Sequence, residues 1–318
     1  MTLKSIARLV GVMLLMASPT LMAQWPRYMP PAVPKGADGK VNLDGPVPRM
    51  ADGKPDLSGV WDVVPCIDCP AGRGGGRGRG AAAAGEQGRG AAAAPAEQAG
   101  GAAAPAAPGA AAPGTGQRGA DPGRATMGNV GGDIPGGAPY QPWAADLVKK
   151  RMADNSKDNP DAHCLPLGIA QMNAHPYPRK IIQTPTEVVL IYEGSGTTVR
   201  EIYLDGRTLP KDPEPWWNGY SVGRWEGDTL VVETVGLMDD GWLDVRGSPI
   251  TSAGKITERF RRVKLGYLEL EETIDDPKVY TKPFTAKLYW RLSPDTQLIE
   301  FLCLDKDASH YVGATPGK

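Results

Sequence analysis

The chain is poor in the residue types that carry most catalytic and metal chemistry. Its 318 residues include three histidines and four cysteines. No His-x-His pair occurs, so the closely spaced imidazoles that suit zinc or copper are missing. His163, His175 and His310 could meet Cys164 and Cys303 only through the fold, and oxidised cysteines would not serve as ligands. No metal or cofactor is therefore expected. A G-x-S-x-G elbow is absent, and Gly194-Ser195-Gly196 reads as a turn. Neither a phosphate-cradling glycine loop nor a dinucleotide fingerprint occurs. With 35 Lys and Arg against 36 Asp and Glu, the net charge of −1 gives no electrostatic reason for a nucleic-acid or acidic-membrane partner.

A leader comes first. Lys4 and Arg8 introduce the apolar run Leu9 to Met16, and Ser18-Pro19 breaks it before Leu21-Met22-Ala23. This pattern predicts a cleaved signal peptide over residues 1–23. No later run is long and apolar enough to span a bilayer, and no Cys stands directly after the leader. A soluble periplasmic or secreted protein is the expectation. In such an oxidising compartment cysteines pair, and four allow three pairings. Cys66-Ile67-Asp68-Cys69 can close locally, leaving Cys164 to reach Cys303. Pro70, where a haem-attachment motif needs His, excludes that use.

Residues 24–57 are rich in Pro and Gly and predict an extended arm. Residues 58–70 hold a first strand. Residues 71–138 read GRGGGRGRG, AAAA tracts and Ala-Pro repeats, with too few large apolar side chains to offset chain entropy; a disordered insert is expected. Arg-Gly repeats can hold RNA, but Glu86, Glu97, Asp121 and Asp133 dilute the charge. Residues 139–318 complete the domain, and with the first strand leave roughly 200 residues, enough for one domain with an ample core.

Pro142 to Met152 predicts a short helix, with Trp143 and Leu147 on one face and Lys149, Lys150 and Arg151 at the C-terminal end of its dipole. Beyond Arg179 strand patterns arrive in pairs: RKIIQT with EVVLIYE, then TTVREIYL, YSVGRWE with TLVVETV around Gly227-Asp228, ITERFRRV with YLELEETI, and FTAKLYWRL with QLIEFLCL. With the first strand these make about ten, and their turn spacing predicts an all-β, antiparallel meander closed into a barrel. For the last pair a four-residue loop Ser293 to Thr296 sets Trp290 opposite Ile299 and Ala286 opposite Cys303, turning Cys303 inward. For the preceding pair a three-residue loop Lys264 to Gly266, with Gly266 left-handed, sets Arg261 opposite Glu269 and Arg259 opposite Glu271 on a wet face. The opposite face then carries Ile256, Phe260, Leu268, Leu270 and Ile274, but also Glu258 opposite Glu272, with Arg262 on the same side.

Two carboxylates on an apolar face are the candidate catalytic pair, with Arg262 as charge partner. In a low dielectric both cannot ionise comfortably, so one becomes an acid. The alternative is a rim position where both are solvated or paired. Eight tryptophans are the other signal, and Trp61, Trp216, Trp217, Trp225 and Trp290 are the candidates to line a ligand cavity.

The stretches PDLSGVW, HCLPLG, REIYLDGR, GYSVGRWEGDTLVVET, ERFRR and TIDDPKVYTKPF resemble a family of uncharacterised exported bacterial proteins. That resemblance implies export and a β-rich domain and supplies no activity. Gly59-Val60-Trp61 with the meander resembles lipocalin barrels, in which the Gly lets the chain bend and the Trp plugs the closed end. The predicted helix follows the first strand here, whereas lipocalins place theirs before the last. The expected function is binding of a small, largely apolar ligand. A cavity-based isomerase or hydrolase using Glu258 or Glu272 is the second expectation, and an envelope-associated structural protein the third.

Overall fold

The computed structural model of the chain describes residues 33, 35–65, 67, 129–131, 134, 136–194 and 198–303. The predicted signal peptide, the Cys66–Cys69 pairing and most of the low-complexity stretch lie outside the described residues. Val130, near the end of that stretch, is buried and donates its N–H to Asp244 Oδ2 at 2.8 Å.

Nine strands among the described residues close into a barrel in chain order: β1 (Gly59–Val64), β2 (Arg179–Gln183), β3 (Glu187–Tyr192), β4 (Thr198–Tyr203), β5 (Tyr220–Glu226), β6 (Thr229–Val235), β7 (Lys255–Lys264), β8 (Tyr267–Asp275) and β9 (Phe284–Leu292). An odd ring cannot alternate direction at every seam, so one seam has to be parallel. It falls between β4 and β5, where the long link 204–219 returns the chain and only Ile202↔Ser221 and Tyr203↔Val222 pair. The other seams are antiparallel.

The tenth expected strand does not form. β9 pairs with β8 on one edge and with β1 on the other, so no edge remains for residues 297–303. Trp290 accordingly lies opposite Val63 and Leu268, not Ile299, and Ala286 opposite Glu272, not Cys303. The segment is tied down differently. Ile299 donates its N–H to Glu193 Oε2 at 3.1 Å, and Cys303 forms a disulfide with Cys164, Cα atoms 5.5 Å apart.

Local chemistry accounts for the hairpins. Gly227, at φ +61°, opens the two-residue β5–β6 loop, as the Gly-first primed turn requires. The β7–β8 register is the expected one, with Arg259↔Glu271, Arg261↔Glu269 and Glu258↔Glu272 paired, and Arg261 sits 3.0 Å from Glu269. Its loop differs. Lys264 pairs with Tyr267 beyond a bulge, and Gly266 is not left-handed. Glycine is needed there for close approach, since a Cβ would lie 2.4 Å from Leu43 Cβ of the arm. Leu43 and Gly45 carbonyls accept the Gly266 and Leu265 N–H groups, and Arg49 forks onto Asp228 at 2.9 and 2.7 Å. Residues 35–57 thereby pack across the β5–β6 and β7–β8 turns.

α1 (Pro142–Ala153) buries Ala144 and Val148. Trp143 is half exposed and donates its indole N–H to the Lys278 carbonyl at 3.0 Å. A 3₁₀ turn (Pro160–His163) leads through Cys164 to α2 (Ile169–Ala174), a six-residue helix whose every residue is buried. No helix among the described residues is long and apolar enough to cross a membrane.

Candidate functional site

α2 carries Asn173 into the middle of the barrel. Its Nδ2 donates to Glu258 Oε1 at 2.9 Å and to Glu272 Oε1 at 2.6 Å, and its Oδ1 accepts from the Tyr192 hydroxyl at 2.7 Å. The Asn173 carbonyl accepts from the Trp290 indole at 3.1 Å and from Arg179 Nη1 at 3.3 Å. One residue of α2 thus bonds to β2, β3, β7, β8 and β9, and occupies the lumen where the sequence predicts a ligand.

Glu258 and Glu272 face each other across the β7–β8 seam, and both are completely buried, so neither is at a rim. Their environments differ. Glu258 is clasped by Arg200 of β4, through Nη1 to Oε1 at 2.9 Å and Nη2 to Oε2. Arg200 Nη2 also donates to Ser221 Oγ at 3.1 Å and Thr234 Oγ1 at 3.0 Å. Glu272 has no such cation, and its Oε2 has no hydrogen-bond partner. Burial, with the Glu258 carboxylate opposing it, pushes the Glu272 carboxyl up to about 8. At neutral pH Glu272 is therefore a carboxylic acid, and the asymmetry of the pair follows from Arg200, which clasps Glu258 alone.

Arg262 is not the charge partner of this pair. It faces inward as expected, but four residues along β7 separate it from Glu258 by about 13 Å. Its Nε donates to the Leu265 carbonyl at 2.9 Å, its Nη2 to the same oxygen and its Nη1 to the Asp56 carbonyl. The guanidinium lies 4.9 Å over the Trp61 ring, and burial lowers its pKa to about 10, which leaves it cationic at neutral pH. Arg179 is placed similarly over Trp290 at 4.7 Å, with its donors on the carbonyls of Asn173, His175 and Tyr177. His175 stacks on Tyr177 at 4.6 Å, and burial lowers its pKa to about 4, so the imidazole is neutral.

The five candidate tryptophans do not line one cavity. Trp61 and Trp290 are fully buried core, the Trp61 indole donating to the Leu57 carbonyl at 3.0 Å. Trp225 is half-buried on β5, opposite Leu230. Trp216 is 57% exposed. Trp217 borders a separate groove of 350 Å³ beside Trp242, whose ring Arg151 covers at 4.4 Å.

A largely apolar pocket lies at the Trp61 end, where the arm meets β1, β2 and β9. It has a volume of 390 Å³, with Val60, Ile181, Ile182, Leu265 and Leu292 in its walls and Arg262 among its polar groups. Gly59 permits this geometry. It sits at φ +144°, and a Cβ there would lie 2.6 Å from Leu292 Cδ1. A larger depression of 610 Å³ shares Leu292, Ser293, Pro294 and Thr296 but is framed by Lys35, Lys40 and Arg291.

Sequence reasoning missed Arg200, Asn173, Tyr192 and Arg179. Strand periodicity offered one signal, because Arg200 shares a face with Ile202, but Val199 on the other face obscured it. For Asn173 no local signal existed. No group of three or more His, Cys, Asp or Glu placed to hold a metal occurs among the described residues. Comparison of the chain with family models, curated proteins and solved structures found no match.

Proposed function

We propose that this is an exported β-barrel protein that binds a small, largely apolar ligand, and that the ligand sits in the pocket at the Trp61 end. One observation carries the reading: an aliphatic-walled pocket of 390 Å³, within the ~300–1,000 Å³ usual for small-molecule sites. The Cys164–Cys303 disulfide supports an oxidising, extracytoplasmic setting. The test is calorimetric titration with decanol of the wild-type protein and of Ile182→Arg, a change at a 40% exposed wall position that the fold should tolerate. Saturable binding by the wild type and none by the variant is expected. Equal binding by both would place the ligand elsewhere.

A second reading assigns acid–base catalysis to the lumen. It is favoured by the buried, unpartnered Oε2 of Glu272, an acid at neutral pH. Glu258, held by Arg200, would then serve as the electrostatic partner. Mass spectrometry of ligands co-purified with wild type and with Glu272→Gln tests it. A transformed ligand seen only with wild type favours catalysis; identical ligands from both remove this reading.

A further inference from the structure

We infer that the ligand of the Trp61-end pocket is an apolar carboxylic acid, its carboxylate at Arg262 and its hydrocarbon body along the β1, β2 and β9 walls. The inference rests on the binding reading above and adds the ligand's charge.

Two buried arginines of the same barrel make the contrast. Arg200 is neutralised by direct contact with Glu258. Arg262, only 5% exposed, has no carboxylate within ion-pair distance among the described residues; its donors go to the Leu265 and Asp56 carbonyls. Carbonyl dipoles and the Trp61 face satisfy hydrogen bonds without cancelling the charge, and an uncancelled charge removed from water is costly. This guanidinium borders the 390 Å³ pocket, whose other walls are largely aliphatic. The opposing charge is Asp56, which also lines the pocket and whose Oδ1 accepts the Ser58 N–H at 2.8 Å. That carboxylate is not within ion-pair distance of Arg262, so the guanidinium faces the pocket with its charge uncancelled.

An uncharged apolar ligand would leave that potential unused, and a cation would be repelled by it. A diacid would set its second charge against aliphatic walls. One planar guanidinium fork matches one carboxylate. A single acid group on an apolar body meets both the potential and the walls.

The wild-type protein is titrated calorimetrically at neutral pH with decanoate, decanol and decyltrimethylammonium, each kept below its aggregation concentration. Decanoate is expected to bind at least about tenfold more tightly than decanol, because a hydrogen bond to a charged group outweighs a neutral one by that order. The ammonium compound should bind most weakly. Arg262→Gln, checked for folding by circular dichroism, should reduce decanoate to the affinity of decanol; if it does not fold, the wild-type series decides alone. Equal affinity for decanoate and decanol overturns the acid inference and leaves the apolar pocket standing. Failure of both to bind overturns the binding reading itself.

Discussion

Arg200 of β4 and Glu258 of β7 form an ion pair over two intervening strands, and the hydroxyls of Ser221 on β5 and Thr234 on β6 fill the span between them. This line of side chains crosses the β4–β5 seam, which has only two paired positions along the backbone. With so few backbone pairs at this seam, the buried polar chain adds a second set of bonds across it.

Arg200→Met should therefore destabilise the barrel by about 3–5 kcal/mol, because it leaves the Glu258 carboxylate buried and unpaired. Arg200→Met with Glu258→Met should recover much of that loss. Urea denaturation measures both, and hydrogen exchange should show the β4 and β5 amides opening first in the single variant.

Glu272 predicts an alkaline loss of stability. Its carboxyl is raised from 4.5 to about 8 in the folded protein. Between those values the folded chain holds a proton that the unfolded chain has released. Stability from this group is full below about pH 4.5 and falls as pH rises to about 8. Glu272→Gln removes this slope, and denaturant midpoints between about pH 6.5 and 8, above the window in which His175 titrates, will show whether it does.

His175 acts with the opposite sign. Its pKa falls from 6.5 to about 4 on folding, because burial penalises the cation. The unfolded chain binds the proton first as pH drops, so stability is full above about 6.5 and declines toward 4. Between about pH 4.5 and 6.5 the two groups offset each other in the wild type, so in His175→Gln stability should rise there as pH falls, while the decline from 6.5 to 8 stays. An unchanged profile between about pH 4 and 6.5 would exclude this imidazole as a contributor.

The Cys164–Cys303 disulfide closes a sequence separation of 139 residues and fastens the chain beyond β9 to the turn before α2. Cys303→Ser should cost about 2–4 kcal/mol, chiefly by freeing the unfolded chain. It should also raise exchange at Ile299, whose N–H bond to Glu193 depends on the segment staying in place.

What could be read in advance was what neighbours in sequence decide. The β7–β8 register followed from loop length and from the pairing of Arg261 with Glu269, so Glu258 and Glu272 were correctly set face to face and inward. Residues 297–303 alternate like a strand, with Ile299, Phe301 and Cys303 on one face, yet strand formation also needs a free edge. β1 had taken it, from more than two hundred residues away. The same non-locality hid the site's organiser. α2 spans six residues, has no side-chain cap and buries every residue, so it has neither the length nor the polar face that betrays a helix. Asn173 on that helix settles what the two glutamates touch.

In the proposed function the ligand sits at the Trp61 end, while the α2 asparagine fills the lumen. Methyl-resolved NMR of the isotope-labelled protein titrated with decanol tests that division most directly. Shifts confined to Ile181, Ile182, Leu265 and Leu292, with Leu230 and Leu270 of the lumen unmoved, are the predicted result. Shifts centred on Leu230 and Leu270, with the Trp61-end methyls unchanged, would contradict it and put the ligand beside Glu258 and Glu272.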